Sequence, residues 1–114
     1  MSTESDSLAA TIESFLENGF ATHGGITICR DPESAWRICV LSFTDAPDGV
    51  IPSDDEAEEK ISDSKDLFER LCSESQEFVA AVGEKVVAFE FCRDRGDHME
   101  VFAAQESQGS SGSS

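Results

Sequence analysis

Apolar residues near the start of the chain recur with the spacing of an amphipathic helix. Four of them fall at i, i+4, i+7 and i+8, on one helical stripe: Leu8, Ile12, Phe15 and Leu16. Ser7 can cap such a helix, and Asn18-Gly19 can end it because both residues tolerate a positive φ. The pattern predicts a helix over residues 7–18, and the polar residues 1–6 are expected to be flexible.

The segments that follow are typical of β-strands. Two strands are predicted, at residues 20–29 and 35–43, with a Gly-Gly interruption near the start of the first. In the second strand, three large apolar residues alternate onto one face: Trp36, Ile38 and Val40. Because Arg37 is the only charged residue in this strand, we expect it to lie at the centre of the sheet.

The middle of the chain predicts a loop and then a second helix. Residues 44–53 contain two prolines and a glycine, which favour a loop. Ser53 then precedes three acidic residues, which is the sequence signature of a capped helix start. The helix is expected to reach about Ser75, with a break near Ser62 and Ser64 as an alternative.

The last third predicts a meander of three strands, at residues 77–82, 86–92 and 98–104. In the second of these, Val87, Phe89 and Phe91 share one face, and in the third Met99 and Val101 are expected to point inward. Residues 77–82 also suit helical spacing and could extend the second helix. The turn at Gly83 favours the strand interpretation.

These elements, in the order α-β-β-α-β-β-β, predict an α+β fold. We expect a mostly antiparallel five-stranded sheet with two helices on one face. Residues 1–106 are expected to form one compact acidic domain, and residues 107–114 a disordered Gly/Ser tail. No apolar run is long enough for a membrane span, and residues 1–7 lack a secretory signal's features. A cytoplasmic location is therefore predicted.

The sequence contains none of the familiar catalytic or metal-binding motifs. The four cysteines lie far apart without a C-x-x-C pair, so we expect buried free thiols, with disulfides or a zinc site as alternatives. His23 and His98 adjoin no nucleophile in a recognisable motif. We therefore predict a protein that is not an enzyme and that has no cofactor or metal. A Cys29 or Cys92 thiol paired with a histidine across the fold is the enzymatic alternative.

Charge is the strongest functional signal in the sequence. Twenty-four acidic residues oppose eight basic ones, giving a net charge of −16. Such a chain repels nucleic acid and anionic membranes, and it attracts basic protein surfaces. Residues 45–77 contain twelve acidic and three basic residues, so the charge is concentrated around the predicted second helix.

The acidic residues of that helix follow helical spacing. Asp55, Glu59, Asp63 and Asp66 step by four, four and three, and Glu58 and Glu69 flank them. We predict that these six residues bind a partner. The function expected is that of a non-catalytic protein that masks or inhibits a basic surface, such as that of a nuclease or toxin. Immunity proteins and DNA mimics share this composition, although no motif links the chain to them.

Other interpretations of the same features remain open. Small secretion chaperones are also acidic α+β domains, act as dimers and bind their clients through an exposed apolar surface. A homodimer is compatible with this sequence, whose Trp36 and phenylalanines suit either a core or an interface. Acidity with only three lysines is also typical of proteins adapted to high salt. Finally, a charged run can be no more than a solvated helix face.

Overall fold

The computed structural model describes residues 3–108 apart from residues 32 and 35. The described residues form three helices and five strands, and the α+β class is confirmed. In chain order the elements are α1 (Thr3–Asn18), β1 (Phe20–His23), β2 (Ile26–Arg30), β3 (Arg37–Phe43), α2 (Asp54–Glu74), α3 (Gln76–Val82), β4 (Val86–Asp94) and β5 (Met99–Gln108).

The five strands form one sheet in the order of the sequence. β1–β2, β2–β3 and β4–β5 pair antiparallel, as predicted, whereas β3 and β4 pair parallel. β3 and β4 pair parallel because α2 and α3 form a crossover between them. The crossover returns the chain to the end of the sheet where β3 begins, and β4 then runs in the same direction as β3. β3 is the central strand, in agreement with its scarcity of charge.

The three helices pack on one side of this sheet, which we call the core face. Four phenylalanines connect all the layers: Phe15 of α1 contacts Phe78 of α3, Phe78 contacts Phe68 of α2, and Phe68 contacts Phe89 of β4. Their ring centroids are 5.5, 5.5 and 5.8 Å apart. The core face also carries buried aliphatic residues, among them Ile28 and Val40, which are 0% exposed. Each side chain of this size stabilises the fold by about 1.5–3 kcal/mol through burial.

The predicted strand at residues 77–82 is wrong, because this segment is helix α3. Ser75 adopts an extended conformation after α2, and its hydroxyl accepts a hydrogen bond from the Phe78 amide at 3.2 Å. A new helix therefore begins at once, and its spacing buries Phe78 and Val82 on one side. Gly83, with φ 55°, ends α3, and the turn there joins a helix to β4 instead of joining two strands.

Residues 20–29 form two strands, where a single one was expected. Gly24 and Gly25 both have a positive φ, which allows a tight two-residue turn. The chain reverses there, so Phe20 pairs with Cys29 and His23 with Ile26. The sheet still has the predicted number of five strands. The hairpin at residues 20–29 adds one strand, and the predicted strand at residues 77–82 is replaced by α3.

The ends of the chain also extend further than expected. α1 begins at Thr3, so residues 3–6 belong to the helix that was expected to begin at residue 7. β5 continues through Ser107 and Gln108, which pair with Val87 and Val86, although a tail was expected to begin at Ser107. The remainder of the predicted flexible segments, residues 1–2 and 109–114, lies outside the described residues.

Met99 and Val101 do not point inward, contrary to expectation. They pair with Asp94 and Cys92, on the side of the sheet opposite the helices, and they are 43% and 49% exposed. A β-bulge at Phe91/Cys92 shifts the alternation, so that Phe102 and Ala103 pack against the core instead.

The second helix is continuous, without the alternative break near Ser62 and Ser64. Ser53 caps it as predicted, its hydroxyl accepting from the Glu56 amide at 3.1 Å. None of the helices in the described part of the chain combines the length and apolar composition that crossing a bilayer requires.

Candidate functional site

Helix α2 has one buried and one acidic side. Ile61, Leu67 and Leu71 enter the core, and they are between 0% and 5% exposed. At about 100° per residue, the six acidic residues fall within an arc of about 140° on the opposite side. We call them the acidic face: Asp55, Glu58, Glu59, Asp63, Asp66 and Glu69. All six are exposed, so the structure brings the predicted site residues together.

Two basic residues of α2, Lys65 and Arg70, do little to neutralise the acidic face. The Lys65 ammonium reaches Gln105 Oε1 of β5 at 2.5 Å and lies 6.0 Å from the centre of the Phe89 ring, so it is directed toward the sheet. Arg70 does pair with one member of the face, Asp66, at 3.2 Å. Because both of these side chains are more than half exposed, this ion pair is worth at most a few tenths of a kcal/mol.

A groove of about 680 Å³ lies at the C-terminal end of α2, where α1 meets α2 and α3. Its apolar part comes from α1, chiefly Ile12 and Leu16. Four carboxylates surround this apolar strip, two from α1 and two from the α2–α3 junction: Glu13, Glu17, Glu74 and Glu77. Local sequence patterns do not indicate this groove, because its walls are some sixty residues apart along the chain.

The side of the sheet opposite the helices, which we call the open face, carries a second apolar surface. Strand register places the following apolar residues there: Phe20, Cys29, Cys39, Leu41, Phe43, Ala88, Cys92, Met99, Val101 and Ala104. In the part of the chain that the structure describes, no helix packs on this face. Phe20, Met99 and Val101 are 54%, 43% and 49% exposed.

One end of the open face is polar and internally paired. Arg37 of β3 lies 3.5 Å from Glu90 on the adjacent strand β4 and 2.9 Å from Glu106 on β5, the next strand beyond it. The charge on this face is therefore partly compensated within the molecule. Met99 and Val101 lie at the other end of the open face, away from the ion pairs of Arg37.

The histidines are not placed beside a thiol. His23 Nδ1 lies 3.2 Å from the Ser7 hydroxyl and 3.4 Å from that of Thr11, and His98 lies 2.7 Å from its neighbour Asp97. Neither histidine lines the α1–α2–α3 groove or the smaller groove beside Phe43. Within residues 3–108, leaving aside 32 and 35, no three His, Cys, Asp or Glu side chains are grouped so that they could hold a metal ion.

The four cysteines are free thiols in this structure. Cys92 is fully buried, and the other three are partly buried, so the expectation of buried thiols holds fully only for Cys92. Burial raises the pKa of the Cys72 thiol, and it raises the pKa of Cys92 to about 12.

No protein-family model, curated protein or solved structure matches this chain.

Proposed function

We propose that this chain is a non-catalytic acidic binding protein that masks or inhibits a basic surface of another protein. The observation that carries the proposal is the acidic face of α2. Its six carboxylates are exposed together, while the other side of the same helix is fixed in the core. The carboxylates are thus held in position before a partner arrives, which reduces the entropy lost on binding.

The partner class follows from the spacing and sign of these charges. Carboxylates one helical turn apart are separated by about 5.4 Å along the axis, which is similar to the spacing of phosphates along a nucleic acid strand. A groove that binds nucleic acid through Arg and Lys would accept such a row. We therefore propose a nuclease, another nucleic-acid-binding protein or a basic toxin as partner, and no direct binding of nucleic acid or membranes.

The groove between α1, α2 and α3 offers such a partner a second contact. Its apolar strip at Ile12 and Leu16 suits an apolar side chain, and the four surrounding carboxylates suit flanking Lys or Arg residues. We propose that the chain acts in the cytoplasm, which agrees with its four free thiols.

Charge reversal on the acidic face tests this function. The tagged full-length chain would be used to capture proteins from its host at about 50 mM and about 500 mM salt, where screening differs strongly. The test variant is Glu59→Lys/Asp63→Lys, which avoids both the first helical turn and the Asp66–Arg70 pair. The control, Glu33→Lys/Glu84→Lys, makes the same change in net charge at two exposed turn residues.

We expect the native chain and the control to retain the same basic, nucleic-acid-binding proteins at low salt and to lose them at high salt. The α2 variant should lose at least about tenfold in affinity for each purified protein, which corresponds to about 1.4 kcal/mol. Equal binding by the two variants would show that α2 is not the interface.

A second candidate function, that of a small dimeric chaperone, is favoured by the open face. Phe20 on β1 and Met99 and Val101 on β5 leave apolar surface accessible on the two edge strands. At the centre of this face, Leu41 and Ala88 are only 6% and 0% exposed. In this case the occupant would be an extended apolar segment of an unfolded client, and the acidic residues would keep the complex soluble.

Aggregation of reduced insulin B chain, followed by light scattering, tests the second candidate. If it is correct, the native chain suppresses scattering and Met99→Ser/Val101→Ser loses most of this effect. Ile51→Ser, which removes an 80% exposed apolar residue from a loop, should retain it. Sedimentation of the native chain should show a dimer. No suppression by the native chain rejects this candidate, and the acidic-face variant would not be expected to affect the assay.

A further inference from the structure

Two cysteines face each other across neighbouring strands of the open face. Cys29 of β2 and Cys39 of β3 are direct register partners. Their outer neighbours in the same row are Phe20 of β1 and Ala88 of β4. Both cysteines are only partly buried, so a small reagent can reach them from the uncovered side of the sheet.

The backbone at this position brings the two cysteines near enough for a disulfide after a small adjustment of the strands. Two residues further along the same pair of strands, the Asp31 amide donates to the Arg37 carbonyl at 3.1 Å. Because hydrogen-bonded and non-hydrogen-bonded pairs alternate along antiparallel strands, Cys29 and Cys39 occupy a hydrogen-bonded pair, where Cα atoms are about 5.5 Å apart. That value lies within the commonest Cα separation of disulfides, about 5.5–6 Å. The Cβ atoms of a hydrogen-bonded pair lie toward the upper end of about 4.5–5.5 Å, beyond the roughly 3.5–4.5 Å of disulfides, so the two strands must move slightly closer for the bond to form. A disulfide formed in this way is more easily reduced than an unstrained one, which suits a reversible reaction.

We propose that Cys29 and Cys39 form a dithiol site, which a low-molecular-weight disulfide oxidises reversibly to an intramolecular Cys29–Cys39 disulfide. The site is independent of the acidic face, and it goes beyond the functions proposed above. Its ligand class is any small disulfide that can reach the open face.

The two thiols differ in pKa, and this difference assigns them different parts in the reaction. The Cys39 thiol donates a hydrogen bond to the Cys29 sulfur, which lowers the pKa of Cys29 and raises that of Cys39. Cys29 therefore supplies the attacking thiolate. The other two cysteines are poorer nucleophiles because burial raises the pKa of both, and by register Cys92 faces Phe43 and Val101 rather than another thiol.

The reaction balances as two successive thiol–disulfide exchanges. The Cys29 thiolate attacks one sulfur of the reagent R–S–S–R, forms a mixed disulfide and releases one thiolate, RS⁻. Cys39 then loses its proton to water and attacks the Cys29 sulfur, which releases the second RS⁻. Two protein thiols are oxidised to one disulfide, and one molecule of reagent is reduced to two molecules of RSH.

The native full-length chain can be tested with bis(2-hydroxyethyl) disulfide, a neutral reagent that the net charge of −16 does not repel. After an acid quench, the remaining thiols are alkylated under denaturing conditions and counted by mass spectrometry. Trypsin then separates the four cysteines, because cleavage after Arg and Lys places them on peptides 1–30, 38–60, 71–85 and 86–93.

We expect the native chain to lose two of its four alkylatable thiols, to link peptides 1–30 and 38–60, and to recover both thiols with dithiothreitol. Cys39→Ser should instead retain a mixed disulfide at Cys29, whereas Cys72→Ala and Cys92→Ala should behave like the native chain. The same reaction in concentrated urea provides the unfolded reference, in which pairings are mixed.

Three results with the native chain would overturn the proposal: a mixed disulfide at Cys29 that persists as in Cys39→Ser, a link to peptide 71–85 or 86–93, or four thiols that remain reduced. Because each of these is read from the native chain, the test does not depend on whether a variant folds.

Discussion

Ser42 and Ser64 form a polar contact inside an otherwise apolar core. Their hydroxyl oxygens are 2.9 Å apart, and both lie within hydrogen-bonding distance of the Lys60 carbonyl oxygen, at 3.3 and 3.0 Å. The two residues are 2% and 0% exposed. In the sequence, Ser64 suggests a possible helix break, because nothing local indicates that Ser42, on β3, supplies a partner for its hydroxyl. The contact instead attaches α2 to the central strand of the sheet.

A double-mutant cycle at this pair gives a prediction at the residue scale. Ser64→Ala leaves the buried Ser42 hydroxyl with one partner fewer, so we expect a loss of about 1–2 kcal/mol in the free energy of unfolding. Ser42→Ala should cost a similar amount. The double variant should cost clearly less than the sum, because neither buried hydroxyl is then left without the other. Urea unfolding measures all four proteins, and additive losses would contradict the predicted coupling.

At the scale of the elements, local signals predict α2 well. Its start depends on Ser53 and the acids that follow, and its two sides follow from residue spacing within the helix itself. The same holds for β4, where Val87, Phe89 and Phe91 share the core face as predicted. In each case the determining interactions lie within a few residues of one another.

Residues 77–82 show where such signals are insufficient. A six-residue apolar segment is too short for its spacing to distinguish a helix from a strand. The helical conformation is favoured by Phe78, which packs between Phe15 and Phe68 of two other helices. The parallel pairing of β3 with β4 depends on the same choice, because it requires α2 and α3 to act as a crossover. Helix α3 and the parallel pairing of β3 with β4 therefore depend on long-range packing, which local sequence patterns do not indicate.

At the scale of the whole molecule, the two candidate surfaces lie on opposite sides. The acidic face is on the outer side of the helical layer, and the open face is on the far side of the sheet. The first was predictable because all six carboxylates belong to one helix. The second was not, because it depends on strand register and on the bulge at Phe91/Cys92, which turns Met99 and Val101 away from the core.

The last prediction concerns the net charge of −16. It distinguishes electrostatic repulsion that is concentrated along α2 from repulsion that is spread evenly over the molecule. Like charges at i,i+4 cost a few tenths of a kcal/mol per pair, and screening removes most of that cost. At low salt, Glu59→Lys/Asp63→Lys should therefore stabilise the fold by about 0.5–1 kcal/mol more than Glu33→Lys/Glu84→Lys. The reason is that the repulsions of residue 59 with Asp55 and of residue 63 with Asp66 become attractions, while positions 59 and 63 still carry like charges. This difference should disappear at about 1 M salt. Urea midpoints at both salt concentrations provide the measurement. Equal gains in stability at low salt by the two variants, which change net charge equally, would show that the repulsion is spread over the molecule and is not concentrated along α2.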